Sequence, residues 1–295
     1  MVIASSEWVP TFDDKPVGEN HLKGIEEAVP SSPIAEPLVS RKVLIFSATS
    51  GYRHGSIPTG KAALVRLGES TGAYESVVSD DPANFESEVL HDFDAVILLS
   101  PTQDFFMPNK KQKDQFPEEE WLWLKDRHNR LVDNLVQYVS EGGGLMAIHA
   151  ASDACYSHKE YGEMVGGYFA GHPWMWNNNV TIVVEEPEHP TMLPVFADKP
   201  DFSLVEEIYK FRKKPVIRSN TRVLLSLDVE RSDQVEKAEP GDYPVAWVQG
   251  LGEGRIFYTS IGHNKHIFTN PLMLKHYLAG IQFATGDLHG ETGPR

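Results

Sequence analysis

The sequence predicts a doubly wound α/β fold, a largely parallel sheet with helices on both faces, and three observations carry that expectation. "DFDAVILLSP" is a near-continuous apolar run, the pattern of a strand covered on both faces. Between residues 42 and 148 such runs alternate with amphipathic stretches in the order of βαβ units. With 295 residues, 41% hydrophobic and 10% aromatic, the chain can bury one sizeable core.

Residues 1–40 carry Pro10, Pro16, Pro30, Pro33 and Pro37 among acidic and small residues, which reads as an extended arm. "RKVLIFSATSGYRHG" opens the domain with a strand, Lys42 to Ser47, that runs into a glycine-containing loop. A helix follows from about Pro58 to Glu69, then a short strand around Tyr74 to Ser79. "AVILLS" is the next strand, and a long polar excursion, "TQDFFMPNKKQKDQFPEEE", comes after it. Trp121, Leu124, His128, Leu131, Leu135 and Tyr138 fall at spacings of three and four, so one helical face is apolar. Glu118 to Glu120 suit the positive N-terminus of that helix and Gly142 its exit. "GGGLMAIHA" is another strand.

Past Trp174 the pattern becomes β-rich. "NVTIVVEE", "EEIYKF" and "TRVLLSLD" read as strands, and "YPVAWVQGLGEGRIFYTSIGH" as a hairpin turned at Gly250, Gly252 and Gly254. A last helix begins at Asn270 with Pro271 in its first turn and stops near Gly286. The expected organisation is an arm over 1–40, one domain over 41–288 and a tail over 289–295.

A formal charge of −15 and a pI near 5.2 repel phosphate backbones and anionic membranes, which argues against nucleic-acid or membrane partners. The single cysteine, Cys155, allows no intrachain disulfide. No apolar run approaches the ~20 residues of a membrane span. "MVIASSEWVPTFDD" lacks the basic and apolar regions of an intact signal peptide, so a cytoplasmic chain and one exported with a leader outside this sequence both stay open. So does homo-oligomerisation.

"GSIPTGKA", Gly55 to Ala62, nearly matches a phosphate-cradling loop, but Ala62 replaces the metal-binding hydroxyl and Pro58 removes a backbone donor. No G-x-S-x-G marks a nucleophilic serine, and Cys155 lies beyond its strand, where a packed thiol is expected. The 12 histidines are more informative. His54, His149 and His263 each follow a separate strand, where α/β folds build their sites, while His172 and His189 fall in loops. If those strand ends align, the imidazoles converge, and neutral imidazoles shuttle protons or ligate a divalent metal. The spacing matches no dedicated zinc motif, so metal identity stays open. Asp153, Glu206 and Glu207 are the carboxylates in reach, and Asp153 or Glu207 would orient an imidazole. Tyr156, Tyr161, Tyr168, Phe169, Trp174 and Trp176 thicken the same region, which suits a carbohydrate ligand, although Tyr161, Met164 and Phe169 read better as packing against the sheet.

Taken in order, "KVLIFSATSGYRHGSIPTG", "SDDPANFE", "FDAVILL", "GGGLMAIHAASDACYSHKEYGEMVGGYFAGHPW", "EHP", "EEIYKFR", "VLLSLD", "PVAWVQGLGEGRIFYTSIGHNKHIF" and "HYLAGIQFATGDL" resemble the ThuA-like (trehalose-utilisation) family from about Arg41 to Leu288. The resemblance implies a flavodoxin-like fold similar to class I glutamine amidotransferases. In those enzymes a nucleophilic cysteine occupies the turn after a strand of this kind. His149 stands at the corresponding position, so no glutaminase activity is implied. Glu206 stands where aspartate is expected before Glu207.

The family's association with trehalose and 3-keto sugars implies a small carbohydrate as substrate. The expectation is an enzyme that isomerises, eliminates or hydrolyses a keto sugar by proton transfer. His149, His54, His263, Asp153 and Glu207 would be catalytic, and Arg53, His172, Trp174, Tyr209 and Asn264 would bind the sugar. The competing expectation is a non-catalytic carbohydrate-binding protein on an amidotransferase-like scaffold.

Overall fold

A computed structural model describes residues 8–237 and 241–295. In chain order the elements are α1 (Glu19–Ala28), β1 (Lys42–Phe46), α2 (Ile57–Thr71), β2 (Glu75–Val78), α3 (Ser87–Leu90), β3 (Ala95–Leu99), α4 (Glu118–Ser140), β4 (Gly144–Ile148), α5 (Lys159–Val165) and β5 (Phe169–Trp174). They continue with β6 (Asn179–Val184), α6 (Leu193–Phe196), β7 (Asp201–Val205), β8 (Ile208–Phe211), α7 (Ile217–Asn220), β9 (Arg222–Asp228), β10 (Pro244–Leu251), β11 (Gly254–Thr259) and α8 (Pro271–Ala284).

Nine strands form one sheet in the order β2-β1-β3-β4-β11-β10-β9-β6-β7. The first five are mutually parallel, and the remaining four extend the sheet antiparallel. β5 and β8 pair apart from it as a two-stranded antiparallel ribbon. Parallel strands present their carboxyl ends at one edge, so β1, β3, β4 and β11 all open their following loops on the same side. This is the α/β flavodoxin-like architecture with a β-rich C-terminal half that the sequence predicts.

The core is two layers because strand side chains alternate. Val43, Ile45, Ile97 and Met146 face one layer, which α2 and α8 complete with Leu64, Leu67, Leu274 and Leu278. Leu44, Phe46, Leu98 and Ala147 face the other, completed by Leu131, Leu135 and Tyr138 of α4 and by Tyr161 and Met164 of α5. All six residues of the predicted apolar face of α4 are buried, and Glu118, Glu119 and Glu120 occupy its first turn. Asn270 caps α8, accepting hydrogen bonds from the Leu272 and Met273 amides at 2.9 and 3.3 Å. The β10–β11 hairpin turns at Gly252, whose φ of +57° suits glycine and where a Cβ would meet Ser140 O at 2.1 Å.

Two expectations need correction. The segment expected to be an extended arm contains α1, which buries Ile25 and Ala28 and packs on α2 and on the turn over residues 265–269. Pro16 and Pro30 bound a proline-free stretch in which Leu22, Ile25 and Ala28 recur every three residues, enough for a short amphipathic helix. β5 and β7 were also unforeseen. β5 holds Gly171 and Pro173, both poor strand formers, and its backbone pairs irregularly with β8. Among the described residues no helix is long and apolar enough to cross a membrane.

His276 of α8 makes the fold sensitive to acid. It is fully buried against Phe257, and burial pushes its pKa down to about 3. The unfolded chain therefore binds a proton near pH 6.5 that the folded chain refuses, so this stability is complete above that pH and is lost as pH falls towards 3. The slope per group is up to about 1.4 kcal/mol per pH unit. His276→Gln should lose about 2 kcal/mol less stability than wild type between pH 7.5 and pH 5, measured by urea denaturation at both pH values.

Candidate functional site

His149 sits at the turn where β4 gives way to a single 3-10 turn, His149–Ser152, and its φ is +53°. A non-glycine residue in that region is strained, and the neighbours hold it there. Tyr258 donates a 2.9 Å hydrogen bond to His149 O. His149 Nδ1 lies 2.7 Å from Ser260 O, so Nδ1 carries the proton and donates. Nε2 is left with its lone pair, which accepts from the Tyr209 hydroxyl at 2.9 Å. Gly262, at φ +154°, lets the loop after β11 pass the turn, since a Cβ there would meet Ile148 Cγ2 at 2.9 Å and His149 Cβ at 3.2 Å.

His54 arrives from the loop between β1 and α2. Ser56 Oγ donates to Gly262 O at 2.9 Å and so ties that loop to the one that carries His263. The His54 ring meets those of His149 and His263 edge-on, with centroids 4.7 and 5.2 Å away. His54 is 5% exposed, and its Nδ1 is buried without a hydrogen-bond partner.

Glu207 completes the group from the corner between β7 and β8. Its Oε1 is 3.2 Å from His263 Nδ1 and 3.7 Å from His149 Nε2, and its Oε2 is 3.7 Å from His172 Nδ1. The contact with His263 is close but misaligned for a hydrogen bond, and His263 Nδ1 counts among the buried atoms without a partner. One donor atom each from His54, His149, Glu207 and His263 lies within 4.8 Å of the others. Beneath them Glu206, wholly buried, accepts from the His263 amide at 2.9 Å and the Asn264 amide at 3.3 Å.

The electrostatics follow from burial and crowding. Burial, then repulsion from His263 and His172, pushes the His54 pKa down to about 3. Burial likewise drives His149 well below the ordinary histidine value, with His54 and His263 adding to it. Burial opposes charge on His263 too, but the Glu207 and Glu206 carboxylates outweigh it and raise the pKa. Burial lifts Glu206 to about 8 against the pull of His263. Two of the three imidazoles are therefore neutral at pH 7, with lone pairs available.

Above the group lies a cleft of about 310 Å³, lined by Tyr52, His54, Asp153, Phe169, His172, Met175, Trp176, Glu207, Tyr209 and His263. That is at the small end of ligand pockets, which run roughly 300–1,000 Å³. Of the predicted site residues, His54, His149, His263, Glu207 and Tyr209 come together, and His172 and Asp153 line the cleft. Burial raises the pKa of Asp153. It accepts from Tyr156 Oη at 2.6 Å and Gln103 Nε2 at 3.1 Å and orients no imidazole; that task falls to Glu207 and, at His149, to Ser260.

Three residues expected to bind substrate lie elsewhere. Arg53 is drawn away by Asp14 and stacks on Phe12, 3.6 Å from the ring centroid. Trp174 is fully buried, its Nε1 donating to Asp233 O and its ring edge-on to Tyr243. Asn264 uses its side chain to hold Trp176 O and Val205 O. Trp176 is the tryptophan that faces the cleft, and Phe169, expected to be packing alone, joins it. Tyr52 and Met175 were not foreseen. Tyr52, in "SGYRHG", was marked only by lying two residues before His54.

Other sequence signals resolve into structure. Lys61 of the loop-like "GSIPTGKA" pairs with Asp80 at 2.6 Å, and the segment runs into α2. Cys155 is fully buried, and burial raises its pKa well above the ordinary thiol value, so it is a packed thiol. His189 bonds Thr191 Oγ1 and Glu291 O at 2.7 and 3.1 Å, away from the cleft.

The protein-family profile described as trehalose utilisation (ThuA) matches residues 42–284. Among solved structures, a ThuA-like protein from Bacteroides uniformis ATCC 8492 is similar at 19% identity and a TM-score of 0.62, over 86% of this chain and 93% of that one. A ThuA-like protein from Parabacteroides merdae ATCC 43184 is similar at 14% identity and a TM-score of 0.57, over 87% and 98%. A protein of Salmonella typhimurium, described as cytoplasmic, gives 14% identity and a TM-score of 0.51, over 82% and 98%. At these identities the likeness is one of fold. Among curated protein sequences none matches.

Glu206 supports the loop that carries His263, and replacing it separates support from chemistry. The two amides bond different oxygens of Glu206, so Glu206→Gln keeps an acceptor for one of them, whereas Glu206→Ala strands both. Glu206→Ala should be less stable than Glu206→Gln by about 2 kcal/mol in urea denaturation.

Proposed function

We propose, from the premise that the chain belongs to the trehalose-utilisation (ThuA) family, that it is an enzyme of carbohydrate utilisation acting on a 3-keto sugar or keto-disaccharide by proton transfer. The observation that carries the reading is the meeting of His54, His149, His263 and Glu207 at the floor of a cleft walled by Phe169 and Trp176. Aromatic walls suit the apolar faces of a sugar ring, and a polar floor suits its oxygens.

A carbonyl at C3 acidifies the proton on C2. A base removes that proton, the C2–H electrons move towards C3, and negative charge collects on the C3 oxygen as an enediolate. Donors fixed around that oxygen lower the barrier. From the enediolate three outcomes share one first step. Return of the proton to a different carbon isomerises the sugar. Expulsion of the C1 oxygen, which takes up a proton as it leaves, is an elimination, and addition of water to the resulting C1=C2 bond completes a hydrolysis.

His149 is too deep and too fully engaged to carry the proton: it is wholly buried and both its ring nitrogens are in contact. Its role is to hold Tyr209 and the neighbouring rings in place, while His263, kept towards its protonated form by the Glu207 carboxylate, is the donor that faces the developing charge. In this reading Asp153 and His172, which line the cleft, are the proton carriers. For Asp153 the raised pKa makes a better base than an ordinary aspartate.

The test is exchange of the C2 proton of 3-keto-trehalose and related 3-keto glucosides in D2O, followed by proton NMR. Wild type should accelerate exchange, and Asp153→Asn and His149→Ala should each slow it by about 10²–10⁴-fold. Full turnover by His149→Ala on every 3-keto disaccharide that wild type converts would sink the proposal. Sugar binding by wild type with neither exchange nor product would leave a carbohydrate-binding protein instead.

A further inference from the structure

We propose that His54, His149, His263 and Glu207 hold one divalent transition-metal ion at the floor of the cleft. The argument begins with geometry. Four donor atoms from the ends of β1, β4 and β11 and the β7–β8 corner lie within 4.8 Å of one another. Two ligands on opposite sides of one ion stand about 4.2 Å apart, twice a zinc–nitrogen bond of ~2.1 Å. Small ring rotations therefore close the set on an ion.

The surroundings are those of ligands and not of a structural hydrogen-bond cluster. His149 gives its Nδ1–H to a backbone carbonyl, which fixes the tautomer and aims the Nε2 lone pair at the group. A metal-binding histidine is oriented in this way. His54, 95% removed from solvent, buries an Nδ1 without a hydrogen-bond partner, and the buried Nδ1 of His263 has only the misaligned 3.2 Å contact with Glu207. Such unpaired buried nitrogens are uncommon in native folds and require an explanation. An ion supplies one. Glu207 brings a negative charge, which offsets part of a divalent ion's charge in a site that water scarcely reaches.

The donor set also narrows the metal. Three imidazoles and one carboxylate, without thiolate, suit zinc, cobalt, manganese or iron and disfavour soft ions such as copper(I). Calcium and magnesium prefer all-oxygen sites. The Tyr209 hydroxyl donates to His149 Nε2 and is the group that an ion displaces there. Glu207 and His263 also line the cleft, so an ion between them keeps coordination positions open to a ligand. Resting on the keto-sugar reading, the structure then narrows the substrate to an α-hydroxyketone, whose hydroxyl and carbonyl oxygens on adjacent carbons can both reach one ion. The ion would act there as a Lewis acid on the carbonyl.

Chelator-stripped protein titrated with Zn2+, Co2+ and Mn2+ in a calorimeter tests the site without reference to activity. Wild type should bind at least one of these ions at a single saturable site per chain, and bound Co2+ should show visible absorption bands of a nitrogen-and-oxygen site. His149→Gln and Glu207→Gln, with folding verified by circular dichroism, should each weaken binding by roughly a hundredfold or more. His91→Gln, which changes an exposed histidine bonded to Ser87 and Glu141, should leave affinity unchanged. Absence of saturable binding by wild type for all three ions, or unchanged affinity in both site variants, overturns the proposal. Metal binding without C2 exchange on any keto sugar upholds the ion and removes the keto-sugar reading. Undiminished exchange by stripped protein overturns the ion's assigned role and upholds the keto-sugar reading.

Discussion

A buried carboxylate among imidazoles is the constraint on which the site depends. Glu207 is 4% exposed and has three histidines within 3.7 Å. Burial alone would make a charge there costly, and three protonated imidazoles at this separation would repel one another. The arrangement resolves both problems by unequal sharing. His54 and His149 stay neutral because burial keeps them so, while His263 is held towards its charged form by the carboxylates beside it. Removing Glu207 would leave the charge favoured on His263 without its nearest counterpart.

The scaffold sustains that arrangement at a cost in backbone strain, and the strain is not scattered. Ser100, Gln103, His149 and Cys155 all adopt positive φ, and all lie just beyond the carboxyl ends of β3 and β4; Gln234 is the other non-glycine residue described with positive φ. Each such residue costs on the order of 1–3 kcal/mol and persists only where its surroundings over-determine it. Here the neighbours do so: Ser100 N donates to Ile148 O at 3.1 Å, and Gln103 and Ala154 form an isolated bridge. The parallel strands thus supply a stiff edge, and the strain aims side chains across it.

The remainder of the chain encloses what that edge presents. The β5–β8 ribbon brings Phe169, His172 and Tyr209 over the imidazoles and has no counterpart in a plain doubly wound sheet. The N-terminal segment contributes from outside. α1 packs on the turn that follows His263, and Asp14 and Phe12 hold Arg53 beside the loop that carries His54. Both contacts stiffen loops that deliver an imidazole.

By itself the sequence determined the elements whose hydrophobic period is strong. The apolar runs of β1, β3 and β4, the three-and-four spacing of α4 and the Asn270-Pro271 start of α8 are all found where local pattern places them. It also marked His54, His149 and His263, because a polar residue at the end of a buried strand breaks an otherwise apolar pattern. It favoured Glu207 over Glu206 without a direction for either side chain, and it chose Trp174 where Trp176 faces the cleft. Adjacent residues differ in direction only once a backbone is fixed, and the corner between β7 and β8 turns one glutamate towards the imidazoles and the other towards two backbone amides. Nor could it anticipate that Arg53 would be claimed by Asp14, 39 residues earlier. Local periodicity is written in short stretches of chain, whereas the convergence of four strand ends and the choice of partner for each charge arise from contacts between residues far apart, and those only the tertiary structure decided.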